Sequence, residues 1–129
     1  KTKGFCDIHD LTSEAVSRLQ ESGVRNGQAA FFITGSTAGL TTVEYEPGLI
    51  KDLEELFEKI APQEKYYHHK EAWHDGNGFS HVRASLLKPS LVVPIVDGQL
   101  TLGTWQQVVL IDFDNRPRSR EIVFQILGE

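Results

Sequence analysis

SLVVPIVDGQLTLGTWQ, residues Ser90 to Gln106, is two β-type runs folded about an Asp97-Gly98 turn. Leu91 to Val96 is rich in β-branched residues, and Asp-Gly favours a tight reversal because such turns need positive φ; Gln99 to Leu102 then resumes the strand. Toward the C-terminus, Thr104 to Asp112 and Glu121 to Leu127 read as two more strands, separated by a turn around Asp114 and Asn115. Successive strands joined by short turns predict an antiparallel meander.

Upstream the pattern changes. Phe79 to Leu87, closed by Pro89, reads as a short helix with Val82, Leu86 and Phe79 inward. Leu49, Ile50, Leu53, Leu56, Phe57 and Ile60 recur at helical spacing with Lys51, Glu54, Glu55 and Glu58 between them, which makes the clearest amphipathic helix of the chain. Leu40 to Tyr45 is a strand ended by Pro47 and Gly48, and Gln28 to Thr34, with its Ala-Ala-Phe-Phe-Ile run, is a buried one. Ser13 to Glu21 is a helix with Thr12 as N-cap, Glu14 in its first turn and Gly23 as its stop. Thr2 to Ile8 reads as an edge strand. Helices interspersed early and strands grouped late predict an α+β fold, a mostly antiparallel sheet or sandwich with two main helices and a short third.

The 129 residues suit one domain, 1–129, able to bury roughly two-thirds of the surface its unfolded chain exposes. The net charge of −5 argues against nucleic acid as a partner, because phosphate-backbone affinity needs clustered cations. No apolar run approaches the ~20 residues of a membrane span. One cysteine, Cys6, precludes an internal disulfide, and no charged leader followed by an apolar stretch is present, so a cytoplasmic location is expected.

Four groups of residues are candidates for chemistry. His68, His69, His74 and His81, with Glu71 and Asp75 among them, combine imidazole and carboxylate, the set that holds a divalent ion or passes protons near neutral pH. Their spacing matches no standard zinc motif, and ordinary hydrogen bonding in a solvated loop is the alternative for His68 and His74. Gly35-Ser36-Thr37-Ala38-Gly39 joins two strands with small and hydroxyl residues, either an anion seat or a tight turn that needs glycine. Arg116, Arg118 and Arg120 crowd the last turn, where Arg118 and Arg120 share a strand face as a grip for phosphate or as solvated charge. Glu44 and Glu46 alternate likewise, as general base, metal ligand or salt-bridge partner. Trp105 reads as a core or subunit-interface residue.

From Gly35 onward the order of these segments resembles the YjbQ-like family: Ser-Thr-Ala-Gly-Leu-Thr followed by Glu44, a helix, a histidine-rich loop, Asp75-x-Asn77-x-x-x-His81, Arg83-Ala-Ser-Leu-Leu87, Ser90 to Gln106, and the terminal Asp-Phe-Asp-Asn-Arg-Pro-Arg run. The resemblance implies a YjbQ-like α+β fold, a homotrimer, and weak thiamine-phosphate synthase activity, a transferase reaction joining an aminopyrimidine diphosphate to a thiazole phosphate with loss of pyrophosphate. It matches Ser36 and Thr37 to a hydroxyl-rich loop, Glu44 to an acidic residue, and Asp75, Asn77 and His81 to a polar site; taken with the groups above, the expectation is His81, Asp75 and Glu44 as catalytic residues, Ser36, Thr37, Asn77 and Arg118 around the substrate phosphate, and His69 with His81 at a divalent Mg or Zn ion, with no organic cofactor. The partner implied is a phosphorylated small molecule. Many members have His where this chain has Gly35. The other reading is a non-catalytic homotrimer that binds a small anion or metal ion.

Overall fold

The computed structural model describes residues 1–129. In chain order the elements are β1 (Asp7–Asp10), α1 (Thr12–Ser22), β2 (Gly27–Ile33), β3 (Ala38–Val43), α2 (Pro47–Ile60), α3 (Lys70–Trp73), α4 (Gly78–Leu87), β4 (Ser90–Val96), β5 (Gln99–Leu100), β6 (Gln107–Asp112) and β7 (Ile122–Gly128). All strand pairs are antiparallel, in two sheets with orders β1-β6-β3 and β5-β4-β2-β7. The α+β expectation holds, with α3 as an additional four-residue helix.

The meander does not form. β4 and β5 make the hairpin about Asp97-Gly98, but β6 leaves for the other sheet and β7 returns to pair with β2. The reason is the composition of β6. Val108 and Leu110 point to one apolar cluster, and Val109 and Ile111 to another, so the strand is buried on both faces and must lie in a middle layer. One cluster fills the space between the sheets, joining Ala29, Phe31 and Ile33 of β2, Val93 and Ile95 of β4, Val108 and Leu110 of β6, and Ala15 and Leu19 of α1. The other joins Cys6, Phe57 of α2, Ala84 of α4, and Val109, Ile111 and Phe113. The layers are therefore sheet, sheet, helices. Register keeps like with like: Ala29 faces Val93 and Ile126, and Phe31 faces Leu91 and Phe124.

Five local expectations change. Pro47 and Gly48 open α2 instead of merely ending a strand, since proline suits the first helical position, and Glu46 is the N-cap, accepting from Leu49 N and from Gly48 N at 3.0 Å. Thr12 lies inside α1, its N–H donating to Asp10 Oδ1 at 2.9 Å while its hydroxyl accepts from Val108 N at 2.9 Å. On α4 the buried residues are Gly78, Phe79, Ser80, Arg83 and Ala84, whereas Val82 is 42% and Leu86 55% exposed. Leu87 is seated on the sheet where Gly39 leaves room, a Cβ there falling 2.7 Å from Leu87 Cβ, and buried Arg83 ties α4 to α2 through Ala61 O (2.9 Å) and Glu58 Oε2 (2.7 Å). Trp105 is 72% exposed and so is not core; the loop that carries it is pinned by Gln106, which accepts from Gly103 N and donates to Thr42 Oγ1. The N-terminal strand begins at Asp7, because Gly4, Phe5 and Cys6 all have positive φ, and Thr2 makes only an isolated bridge to Arg118. No helix is long and apolar enough to cross a membrane.

Candidate functional site

The histidine-rich segment is organised by two left-handed residues. His74 (φ 53°) caps α3, Gly76 (φ 68°) turns the chain again, and Asp75 Oδ1 accepts from Asn77 N at 3.1 Å. Gly78 follows at the start of α4, where a Cβ would come within 2.5 Å of Tyr67 Cβ and 3.3 Å of His69 Cβ. That close passage brings His69 against the first turn of α4.

There the rings of His69 and His81 lie 4.4 Å apart, tilted by 34°. Asp75 Oδ1 stands 3.6 Å from His69 Nδ1, too far for a hydrogen bond, and that nitrogen is buried with no hydrogen-bond partner. Burial, reinforced by His69, pushes the His81 imidazole below its ordinary value against the pull of Asp75 and Asp114. His81 is therefore neutral at pH 7, able to donate at one ring nitrogen and accept at the other.

Asn77, at the N-cap of α4, is buried. Its Oδ1 accepts from Ser80 Oγ (2.5 Å) and from Asn115 N (3.1 Å), while Asn115 Nδ2 donates to Asp75 O (2.8 Å). The histidine loop is thereby fastened to the turn after β6.

That turn anchors a buried polar network. Asp112 and Asp114 are both fully buried. Asp112 accepts from Arg120 Nε (2.7 Å), Arg120 Nη2 (2.9 Å), Thr2 Oγ1 (2.5 Å) and Asp114 N (2.9 Å). Asp114 accepts from Thr37 Oγ1 (2.8 Å) and Arg118 Nε (3.0 Å), and Arg120 Nη2 donates to Thr37 Oγ1 (2.6 Å). Burial alone would raise both carboxyls, but these donors outweigh it and hold both below the ordinary carboxylate range. Hydrogen bonds to Asp112 raise Arg120 in turn. The expected phosphate grip is thus altered: Thr37, Arg118 and Arg120 are engaged by carboxylates of their own chain, two cations against two anions.

Of the other expected residues, Ser36 is exposed beside Thr37, and Arg116 is exposed. Glu44 is exposed just past the far end of β3, roughly 20 Å along the strand from Thr37, so it does not join His81 and Asp75. Glu46 is the α2 cap. His68 is largely exposed and meets Glu71 Oε2 at 2.9 Å; His74 is exposed. His69, Asp75, Asn77 and His81 do come together. They fall short of a metal centre, since no three or more His, Cys, Asp or Glu side chains converge to hold an ion.

Sequence reasoning missed Asp112, Asp114 and Thr2. The signal was there: Asp112 and Asp114 flank Phe113 at the end of the apolar run that starts at Val108, which draws them inward, and a buried carboxylate demands a cation, which the following arginines supply. It also missed Lys65 and Lys70. These line an open cavity of about 530 Å³ with Gln63, Glu64, Tyr66, Tyr67, Gly76 and Gly78, the last of which packs against His69, and neither lysine makes a salt bridge within the chain.

The family profile described as UPF0047 protein YjbQ-like matches residues 1–129. The chain is 38% identical to a UPF0047 protein of Archaeoglobus fulgidus over 98% of this chain and 96% of that one, and 33% identical to the UPF0047 protein YugU of Bacillus subtilis over 99% and 95%. Among solved structures, a YbjQ-like protein of unknown function from Sulfolobus solfataricus superposes with a TM-score of 0.93 at 30% identity, covering 99% of this chain and 91% of that one. A protein from Aeropyrum pernix gives 0.92 at 29% identity, covering 100% and 94%. Matched along its whole length in both sequence and fold, the chain belongs to the UPF0047 YjbQ-like family.

Proposed function

We propose that the His69–His81 pair is the proton-handling centre of an enzyme acting on a phosphorylated small molecule, with thiamine-phosphate synthesis as its reaction. The observation that carries this reading is the contact of two imidazoles at 4.4 Å, one held neutral, with Asp75 beside them and a lysine-lined cavity adjoining. Neutral His81 takes or relays a proton. Asp75, 3.6 Å from His69 Nδ1, acts on that imidazole through its charge. Lys65 and Lys70 offer the phosphate groups the free positive charge that Arg118, held by Asp114 through Nε and Nη2, lacks, and Ser36 adds an exposed hydroxyl. In the reaction itself the pyrimidine methylene–oxygen bond breaks, the thiazole nitrogen bonds to that carbon, and diphosphate leaves with the electron pair and takes up a proton relayed from solvent through the imidazole pair. A Mg or Zn ion has only His69 and His81 as imidazole ligands here, so no step is routed through one.

The test is turnover of the aminopyrimidine diphosphate and thiazole phosphate by native protein and by His81→Ala. Loss of turnover in the variant is expected; equal turnover overturns the role of His81. A second reading, a non-catalytic binder of small anions, is favoured by the internal engagement of Thr37 and Arg118 and by Gly35 in place of the histidine that the resemblance leads one to expect. It predicts a raised melting temperature with phosphate metabolites and no turnover. A homotrimer is supported by the outer face of the four-stranded sheet, where Phe32, Val92, Val96, Val123 and Leu127 are exposed together, and light scattering measures it directly.

A further inference from the structure

On the other side of the buried network lies a cavity that the proposed chemistry does not use. β7 is the outermost strand of its sheet, and α1 only partly roofs its inner face, so Ile122, Phe124 and Ile126 remain half-buried. The opening between α1 and β7 encloses about 570 Å³, within the range of small-molecule sites. Its floor is Phe124, half-buried and backed by buried Phe31, on which it stacks at 4.8 Å. Its polar part is Arg120, with Arg18 and Glu14 as well.

Arg120 is the informative member. Its side chain is 9% exposed, and its Nε and Nη2 are taken by Asp112 and Thr37, yet Nη1 makes no hydrogen bond within the chain. Gly35 keeps that nitrogen uncovered: a Cβ there would lie 2.9 Å from Nη1, and the φ of +130° itself favours glycine. A guanidinium fixed on two sides, with its remaining N–H groups open beside an aromatic floor, is a built acceptor-recognising element. Arg18, 61% exposed and only 3.5 Å-paired to Glu14, adds a second cation.

We infer that this cavity binds a small amphipathic carboxylate, an aryl or branched-alkyl acid whose apolar body lies on Phe31, Phe124, Ile122 and Ile126 and whose carboxylate accepts from Arg120 Nη1. The site is separate from the His69–His81 centre and stands or falls without it.

Phenylbutyrate and phenylbutanol are the probes, titrated into the full chain by isothermal calorimetry and by NMR of the β7 amides. The carboxylate is expected to bind about tenfold more tightly than the alcohol, the value of one charge-assisted hydrogen bond. Its shifts should centre on residues 122 to 126, and Arg18→Gln, an exposed change, should weaken it about threefold. Phe124→Ala, checked for folding by its melting curve, should weaken acid and alcohol alike. Equal affinity for acid and alcohol, shifts centred elsewhere, or no binding of either because a second copy of the chain closes the opening, would each overturn the inference.

Discussion

Replacing Asp112 by alanine tests whether the buried network is a fastening of the fold. Asp112 is fully buried, holds Arg120 through two hydrogen bonds at 2.7 and 2.9 Å, and also receives Thr2 and Asp114 N. Removing it strands a guanidinium that is 9% exposed, leaves Asp114 N without its acceptor and leaves the Thr2 hydroxyl only a long contact of 3.4 Å to Arg118 O. Breaking one partner of a buried ion pair costs about 3–5 kcal/mol, a large share of the 5–15 kcal/mol that typically stabilises a domain. For a chain of this size unfolding entropy converts about 1 kcal/mol into about 3.7 °C, so the melting temperature should fall by about 11–18 °C at fixed protein concentration. Asp112→Asn should fall between, since it keeps an acceptor but loses the charge. Asp112→Leu combined with Arg120→Met should recover more than half the loss, because it removes both charges together. Scanning calorimetry decides it. A drop of less than about 4 °C for Asp112→Ala, or a double variant no better than the single, would show that the pair contributes no more than a surface bridge.

The pH dependence follows from the same groups. His81 has a folded value below the ordinary 6.5, so the unfolded chain takes up its proton first; the stability present above 6.5 is lost as pH falls from there toward the folded value. Asp112 and Asp114, both below the ordinary 3.8, give a second loss as pH falls from 3.8 through their folded values. Denaturation midpoints of His81→Gln should lack the first loss and keep the second, and parallel curves for variant and native protein would refute the assignment. Glu46→Ala removes the cap of α2 and should cost about 0.5–2 kcal/mol, read as a fall of about 2–7 °C in melting temperature, with Glu46→Asn restoring most of it. The Cys6 thiol is pushed up to about 12, by burial first and by Glu54 next, so thiol reagents should label it only through unfolding, and faster in denaturant; rapid labelling of native protein would contradict this.

Much of the fold was legible because it rests on local rules. The α2 stripe, the Asp97-Gly98 hairpin and the buried β2 run each express a period or a turn preference contained in a few residues. The boundary of β3 was misread for the same kind of reason: Pro47 both stops a strand and starts a helix, and only the Glu46 side chain, folded back on Gly48 and Leu49, decides between them. On α4 the inward face was misjudged because Arg83 is buried, and nothing local signals that Glu58 and Ala61, more than twenty residues earlier, await it.

For the candidate site, the residue types around Asp75, Asn77 and His81 singled out the right loop, but not which histidines meet. His68 and His69 are neighbours in sequence, yet one faces solvent with Glu71 and the other packs on His81, a choice made by the passage of Gly78 against Tyr67. The sequence by itself determined the secondary elements, the antiparallel α+β class and the family, since each depends on short-range pattern. Only the tertiary structure decided that β6 crosses to a middle layer and that Arg118 and Arg120 belong to Asp114 and Asp112. It alone decided, too, that Glu44 lies a strand's length from the chemistry. Pairing at that range is set by which faces can be buried together, a property of the whole chain and of no segment of it.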